Sequence, residues 1–204
     1  MMKLYMAPGA CSLSPHIALR EARLDFELER VDRQKRTASG ESYLDVNPLG
    51  YVPALRLDDG QVLTEGQVIV QYIADLRPDA RLAPPPGRFE RYRLQEWLSF
   101  IATEIHKAFG PLFAADAPES FKAVAGERLT RRFDHVAQTL DSRRYLLGDV
   151  FSVADGYLYT MLTWRSYAGL NLDRWPVLQR YFDEIGERPA VRAALAAEQD
   201  LRAA

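Results

Sequence analysis

The chain has 204 residues, 48% of them hydrophobic and 26% charged, with a formal net charge of −2, which is enough to bury a real core as one large or two small domains. That balance gives no electrostatic footprint for a nucleic-acid backbone or an anionic membrane surface, and no apolar run approaches membrane-spanning length. The single cysteine, Cys11, excludes an internal disulfide and a cysteine-built metal cluster; His16, His106 and His135 are scattered without ligand spacing, so no metal is expected. The opening "MMKLYMAPGA" carries a lysine but no long apolar stretch and makes a poor signal peptide. The totals point to a cytoplasmic enzyme or binding protein.

In chain order, strand patterns occur at 3–6 ("KLYM"), 26–31 ("FELERV"), 52–57 ("VPALRL") and 61–64 ("QVLT"), and the turn Asp58–Gly60 suits a hairpin between the last two. Helical patterns fill 12–23, a short piece near 41–46, and 66–77. The order β-α-β-α-β-β-α implies a small sheet with helices packed on it. In "RPDARLAPPPGR", Pro78, Pro84, Pro85, Pro86 and Gly87 break any regular element. Beyond this linker only 3.6-period segments follow, at 88–113, 119–140, 152–168, 175–186 and 189–199. An α/β domain over 1–80, a proline-rich linker at 81–87 and an all-helical domain over 88–204 are therefore expected.

Four stretches carry chemistry. In "MAPGACSLSPHIALRE" the thiol of Cys11 sits at the start of a helix that Ser12 or Ser14 can cap and whose first turn accepts Pro15. A helix N-terminus favours negative charge, so the setting suits a thiolate. Taken alone, a solitary cysteine is more often a small buried hydrophobe. With no second cysteine to resolve a disulfide, the partner sulfur has to arrive on a ligand, which points to glutathione or a similar thiol. In "NPLGYVPAL", Pro53 before a strand marks a sheet edge and suggests a cis bond, and the backbone of Val52 can pair with an extended peptide. In "LTEGQVIVQYIADL" the N–H groups of Gly66 and Gln67 open a helix and can hold a carboxylate, with Glu65 beside them for an ammonium group. Glu65 favouring the helix dipole explains the residue equally well. In "LQEWLSFIATEIHKAF", Leu94, Trp97, Leu98, Ile101, Ala102, Ile105 and Phe109 share one helical face, and Ser99, Thr103, His106 and Lys107 share the opposite one. Such a polar stripe is ordinarily solvated.

Together these residues resemble the glutathione transferases, most closely the bacterial beta class, over essentially the whole chain. The specific pieces are "PGACSLSPHIALRE", "VNPLGYVPAL", "LTEG", "EWLSFIATEIHKAF" and "FSVADGYL", in this order. The resemblance implies a thioredoxin-like N-terminal domain followed by an all-α C-terminal domain. It implies that Cys11 lies beside the glutathione sulfur, with His106 near it, as the catalytic pair. Val52 and cis Pro53 would bind the cysteinyl part, Glu65 and Gly66 the γ-glutamyl end, and Lys35, or Arg36 beside it, a tripeptide carboxylate. Ser99, Thr103, Glu104 and Lys107 match residues of the second domain that close the site. Two positions depart from the family pattern: Gly66 where many members have Ser, and Ser99 where Asn is common. The electrophile would lie among Met6, Phe109, Phe113, Trp164 and Tyr167, although aromatics at helical spacing are more often core.

The function expected is a glutathione transferase acting on small electrophilic or hydrophobic substrates, with glutathione as co-substrate and no metal. A cysteine at the active position adds mixed-disulfide chemistry: thiol transfer, peroxide reduction or reductive dehalogenation. The resemblance further implies a homodimer that binds neither nucleic acid nor membrane. A non-catalytic glutathione- or ligand-binding protein of the same fold is the alternative. Ser152 and Asp155 in "FSVADGYL" form an S-x-x-D helix-start box, a structural motif.

Overall fold

The computed structural model describes residues 1–203. In chain order the elements are β1 (Met2–Met6), α1 (Leu13–Glu21), β2 (Phe26–Arg30), a 3-10 turn (Tyr43–Asp45), β3 (Ala54–Arg56), β4 (Val62–Thr64) and α2 (Gly66–Leu76). There follow α3 (Phe89–Phe100), a π-helical turn (Ile101–His106), a 3-10 turn (Lys107–Phe109), α4 (Gly110–Phe113), α5 (Glu119–Leu140), α6 (Val153–Thr163), α7 (Pro176–Gly186) and α8 (Pro189–Ala203). Two compact units result: Met1–Leu82 with the segment from Arg188 onward, and Ala83–Glu187.

The first unit is built on a four-stranded sheet of order β2-β1-β3-β4. β1 pairs parallel with β2, Leu4 opposite Leu28, and antiparallel with β3, Leu4 opposite Leu55. β3 and β4 form the expected hairpin across Asp58–Gly60, and Gly60 takes a positive φ of 88° in the turn. Because β1 and β3 are the central strands, Leu4, Tyr5, Met6, Ala54 and Leu55 are all buried, on both faces of the sheet. This is the thioredoxin-like arrangement the resemblance implies.

α1 departs from an ordinary amphipathic surface helix. Every residue from Leu13 to Leu19 is buried, including Ser14 and His16. A helix apolar on one side only cannot sit that way unless something covers its other side. The cover is α8, which packs on α1 together with α2. The grouping of 88–204 into one helical domain therefore differs from the packing, because the last helix returns to the first unit. Neither Ser12 nor Ser14 caps α1 with its side chain. The Ser12 hydroxyl lies 3.2 Å from both the N–H and the carbonyl of Ala7, and Ser14 Oγ is buried.

The second unit is all helical, as expected. α5 keeps the bounds read from the periodicity and buries Ala125, Leu129, Phe133, Val136 and Leu140 along one stripe. α6 is buried from Val153 through Leu162 and forms the unit's centre. Its start is held by the Ser152–Asp155 box. Asp155 accepts from the N–H and Oγ of Ser152 (2.8 and 2.7 Å), the Leu146 N–H (2.9 Å) and the Tyr181 hydroxyl (2.9 Å). Burial nonetheless raises this carboxyl above the usual carboxylate range. The segment expected as one helix over 88–113 is α-helical only to Phe100, then widens into the π turn. No helix among the described residues is long and apolar enough to cross a membrane.

Candidate active site

In the first unit the candidate residues gather around the segment Gly50–Pro53. Three successive carbonyls of that segment each take a donor. Lys35 Nζ donates to Gly50 O at 2.7 Å. Tyr43 Oη and Asn47 Nδ2 both donate to Tyr51 O at 2.7 Å. The Cys11 thiol, half-buried, donates to Val52 O at 3.3 Å, a contact that exists only while the sulfur carries its proton. The Val52–Pro53 bond that follows is cis. The strand that follows, β3, is central in the sheet and not the edge expected, because β1 and β4 pair on its two sides. Among the described residues no protein group takes the Val52 N–H just before it, which leaves that N–H open to a backbone partner.

Sequence reasoning missed Tyr43 and Asn47. Asn47 carried a signal, since an Asn two residues before Leu49 in a Pro-Leu-Gly stretch can close an Asx turn, and its Oδ1 does accept from the Leu49 N–H at 3.2 Å. Tyr43 carried none; it is fully buried beside Tyr5 (ring centroids 5.5 Å apart), and burial pushes its hydroxyl up to about 12, so it stays a donor. Gly50 takes φ 67°, and a side chain there would press on Lys35 and Leu44. The Lys35 ammonium is thus engaged with the protein's own backbone, and Arg36 donates to Gly40 O at 3.0 Å.

The start of α2 stands beside this segment. A Cβ on Gly66 would lie 3.5 Å from Pro53 Cγ, which is ordinary contact. Glu65, the residue before the helix, has φ 65° and ψ 106°, strained for any residue with a side chain. Its carbonyl accepts from Val68 and Ile69 N–H, both at 2.9 Å, and its side chain is exposed. The N–H groups of Gly66 and Gln67 have no protein acceptor among the described residues, as the ends of helices require. At α1, in contrast, the N–H groups of Leu13 and Ser14 already donate to Ala10 O and Cys11 O. The loop bearing Cys11 is anchored from α8: Glu198 Oε2 accepts the Gly9 N–H at 2.8 Å, and Oε1 lies 3.3 Å from His16 Nδ1.

The remaining candidates belong to the second unit. His106 ends the π turn and is half-buried, its Nδ1 2.7 Å from the hydroxyl of Tyr157 on α6. The expectation of a solvated stripe fails for this residue. A turn closed i→i+5 advances each residue by a smaller angle than an α-helical one, which carries His106 toward the buried side of Ile101 and Ile105. Burial, reinforced by the Lys107 ammonium, lowers its imidazole to about 4. Ser99, Thr103 and Lys107 are exposed, and Thr103 Oγ1 donates to Ser99 O at 3.0 Å. The Glu104 carboxylate is engaged by Arg132, whose Nε lies 2.8 Å away and which holds it below the usual range.

The five residues expected around an electrophile part company. Met6 is fully buried in the central strand of the first unit, where both sheet faces are covered, and Phe109 is fully buried in the second. Phe113 and Tyr167 are exposed, 47% and 61%, with ring centroids 5.0 Å apart. Behind them Trp164 meets Phe113 at 5.0 Å and His106 at 5.1 Å, both edge-on. Among the described residues no cluster of His, Cys, Asp and Glu suits a metal ion.

This chain matches the family description "Glutathione S-transferase, N-terminal domain" over residues 9–76 and "Glutathione S-transferase, C-terminal domain" over 100–189. It belongs to the glutathione S-transferases. It is 46% identical to glutathione S-transferase GstA of Escherichia coli O157:H7, covering 97% of this chain and 98% of the relative. Among solved structures, the glutathione transferase of Methylococcus capsulatus (Bath) is 57% identical, with a TM-score of 0.96 over 98% of this chain and 99% of that one. A beta-class transferase of Sphingomonas chungbukensis is 45% identical, with a TM-score of 0.93 over 96% and 98%. A sphingomonad glutathione S-transferase solved with glutathione is 49% identical, with a TM-score of 0.94 over 97% and 98%. As a glutathione transferase, the protein is a transferase by class, and its thioredoxin-like and helical units are those of the family.

Proposed function

We propose that this glutathione transferase binds glutathione on its first unit and works in two modes, conjugation and exchange through Cys11. The observation that carries the reading is the lone thiol in contact with Val52 O, beside an unpaired Val52 N–H, cis Pro53 and the exposed, strained Glu65. An extended tripeptide can pair its backbone with Val52 and place its γ-glutamyl carboxylate on the Gly66 and Gln67 N–H groups, with its ammonium at Glu65. Lys35 or Arg36 meets a remaining carboxylate by giving up a bond to a backbone carbonyl.

In conjugation, the glutathione thiolate attacks an electrophilic carbon, a carbon–sulfur bond forms, and the leaving group departs with the bonding pair. In exchange, the Cys11 thiolate attacks the glutathionyl sulfur of a mixed disulfide and releases the other thiol. A second glutathione thiolate then attacks that sulfur, giving glutathione disulfide and restoring Cys11. Two glutathiones likewise reduce a peroxide to an alcohol and water, or replace a halogen by hydrogen, with glutathione disulfide as the oxidised product. The substrates are small electrophilic or hydrophobic molecules, for which Phe113 and Tyr167 present aromatic surface. The protein acts in the cytoplasm as a homodimer; sedimentation showing only a 23.2 kDa species would overturn that state.

Cys11→Ala separates the modes. Disulfide exchange should be abolished while conjugation persists, and mass spectrometry should find a glutathione adduct on the native protein but none on the variant. Undiminished exchange in the variant would overturn the covalent role. Retention on immobilised glutathione without turnover of any electrophile would indicate the binding protein instead.

A further inference from the structure

We infer that Tyr157 is a positioning residue for His106: by donating its hydroxyl proton to Nδ1 it places the ring proton on Nε2, making His106 a neutral hydrogen-bond donor and leaving it no lone pair with which to act as a base. The inference rests on reading His106 as a site residue of this transferase.

The 2.7 Å separation of Nδ1 and Oη is a short, well-formed hydrogen bond. Either atom can in principle donate, and acidity decides between them. A phenol with an ordinary pKa near ~10 gives up a proton far more readily than a neutral imidazole N–H, so O–H···N is the stable arrangement. Tyr157 is buried on the central helix of its unit, where its rotamer is set by packing. The imidazole meets two rings edge-on, Tyr157 at 5.9 Å and Trp164 at 5.1 Å, and turning it over would set Cδ2–H in place of Nδ1 against the Tyr157 hydroxyl and lose the hydrogen bond. With Nδ1 occupied, a neutral ring carries its proton on Nε2, and among the described residues nothing accepts from that atom. Burial and the Lys107 charge keep the ring uncharged at neutral pH.

The consequence separates two mechanisms. A histidine acting as general base needs a free lone pair on the nitrogen that meets the substrate. Here that nitrogen carries hydrogen, so His106 acts on anionic sulfur, or on charge that develops in the reaction, as a fixed dipole. Such a donor needs no change of protonation during turnover.

Histidine nitrogen NMR on the uniformly labelled native protein tests this directly, because long-range proton–nitrogen correlations show which ring nitrogen is protonated. The expected result is an Nε2–H tautomer for His106. In Tyr157→Phe a measurable Nδ1–H population should appear, with kcat lowered about 2- to 10-fold and KM for glutathione unchanged, the range that one net hydrogen bond spans. A native spectrum with the proton on Nδ1 overturns the inference, as does a Tyr157→Phe protein with unaltered tautomer and kcat. If that variant fails to fold, the native spectrum decides. Unchanged turnover in His106→Ala would instead refute the role of His106 itself, and the native tautomer would still be read independently.

Discussion

Replacing Glu198 by glutamine removes one charge and almost no volume, yet it should cost stability. Arg20 Nε donates to His16 Nε2 at 2.9 Å, so Nε2 must be an acceptor. Burial lowers the pKa of His16 and keeps the ring neutral, which forces its one proton onto Nδ1. Nδ1–H therefore donates to Glu198 Oε1, while the Gly9 N–H donates to Oε2. A carboxylate accepts both; an amide offers one oxygen and one NH2. In Glu198→Gln one of the two donors, the buried His16 Nδ1–H or the part-buried Gly9 N–H, faces a donor, at a cost of roughly 1–3 kcal/mol. For a chain of this size that lowers the melting temperature by roughly 2–4 °C per kcal/mol. Glu198→Ala removes both acceptors and should lose more than the glutamine variant. Urea unfolding followed by circular dichroism measures the difference. A glutamine variant within about 0.5 kcal/mol of the native protein would refute the tautomer argument and the role of α8 in holding the Cys11 loop.

Two further expectations follow from strain and titration. Glu65→Gly should relieve the strained backbone at φ 65° and stabilise the protein by about 1 kcal/mol, while glutathione binding weakens; calorimetry of both quantities checks the opposed signs, and unchanged affinity would remove Glu65 from the site. His106 has a folded pKa near 4 against about 6.5 unfolded, so between these values the unfolded chain binds the extra proton. Its contribution is fully present above pH 6.5 and is lost as the pH falls toward 4, by roughly 2–3 kcal/mol at the lower end. Denaturant titrations across that window should show a shallower fall in His106→Gln, and identical slopes would contradict the burial argument.

Much of this protein was legible in its residues because the relevant physics is local. The period of α5, the Asp58–Gly60 hairpin, the proline break after the first domain and the cis bond at Pro53 each depend on a few neighbouring side chains. The place of Cys11 ahead of a helix, and the absence of any second thiol, were likewise available without coordinates. Partners distant along the chain were not. Nothing in the order of helices says that α8 packs on α1 rather than on its neighbours, and the separation of 182 positions from His16 to Glu198 leaves no spacing to read. The donors that pin Tyr51, the burial of Met6 on a strand covered from both sides, and the π turn that carries His106 inward to Tyr157 are also settled by packing. Periodicity tells which face a side chain occupies on an ideal element; only the assembled tertiary structure decides whether that face is covered, bent out of register, or supplied with a partner.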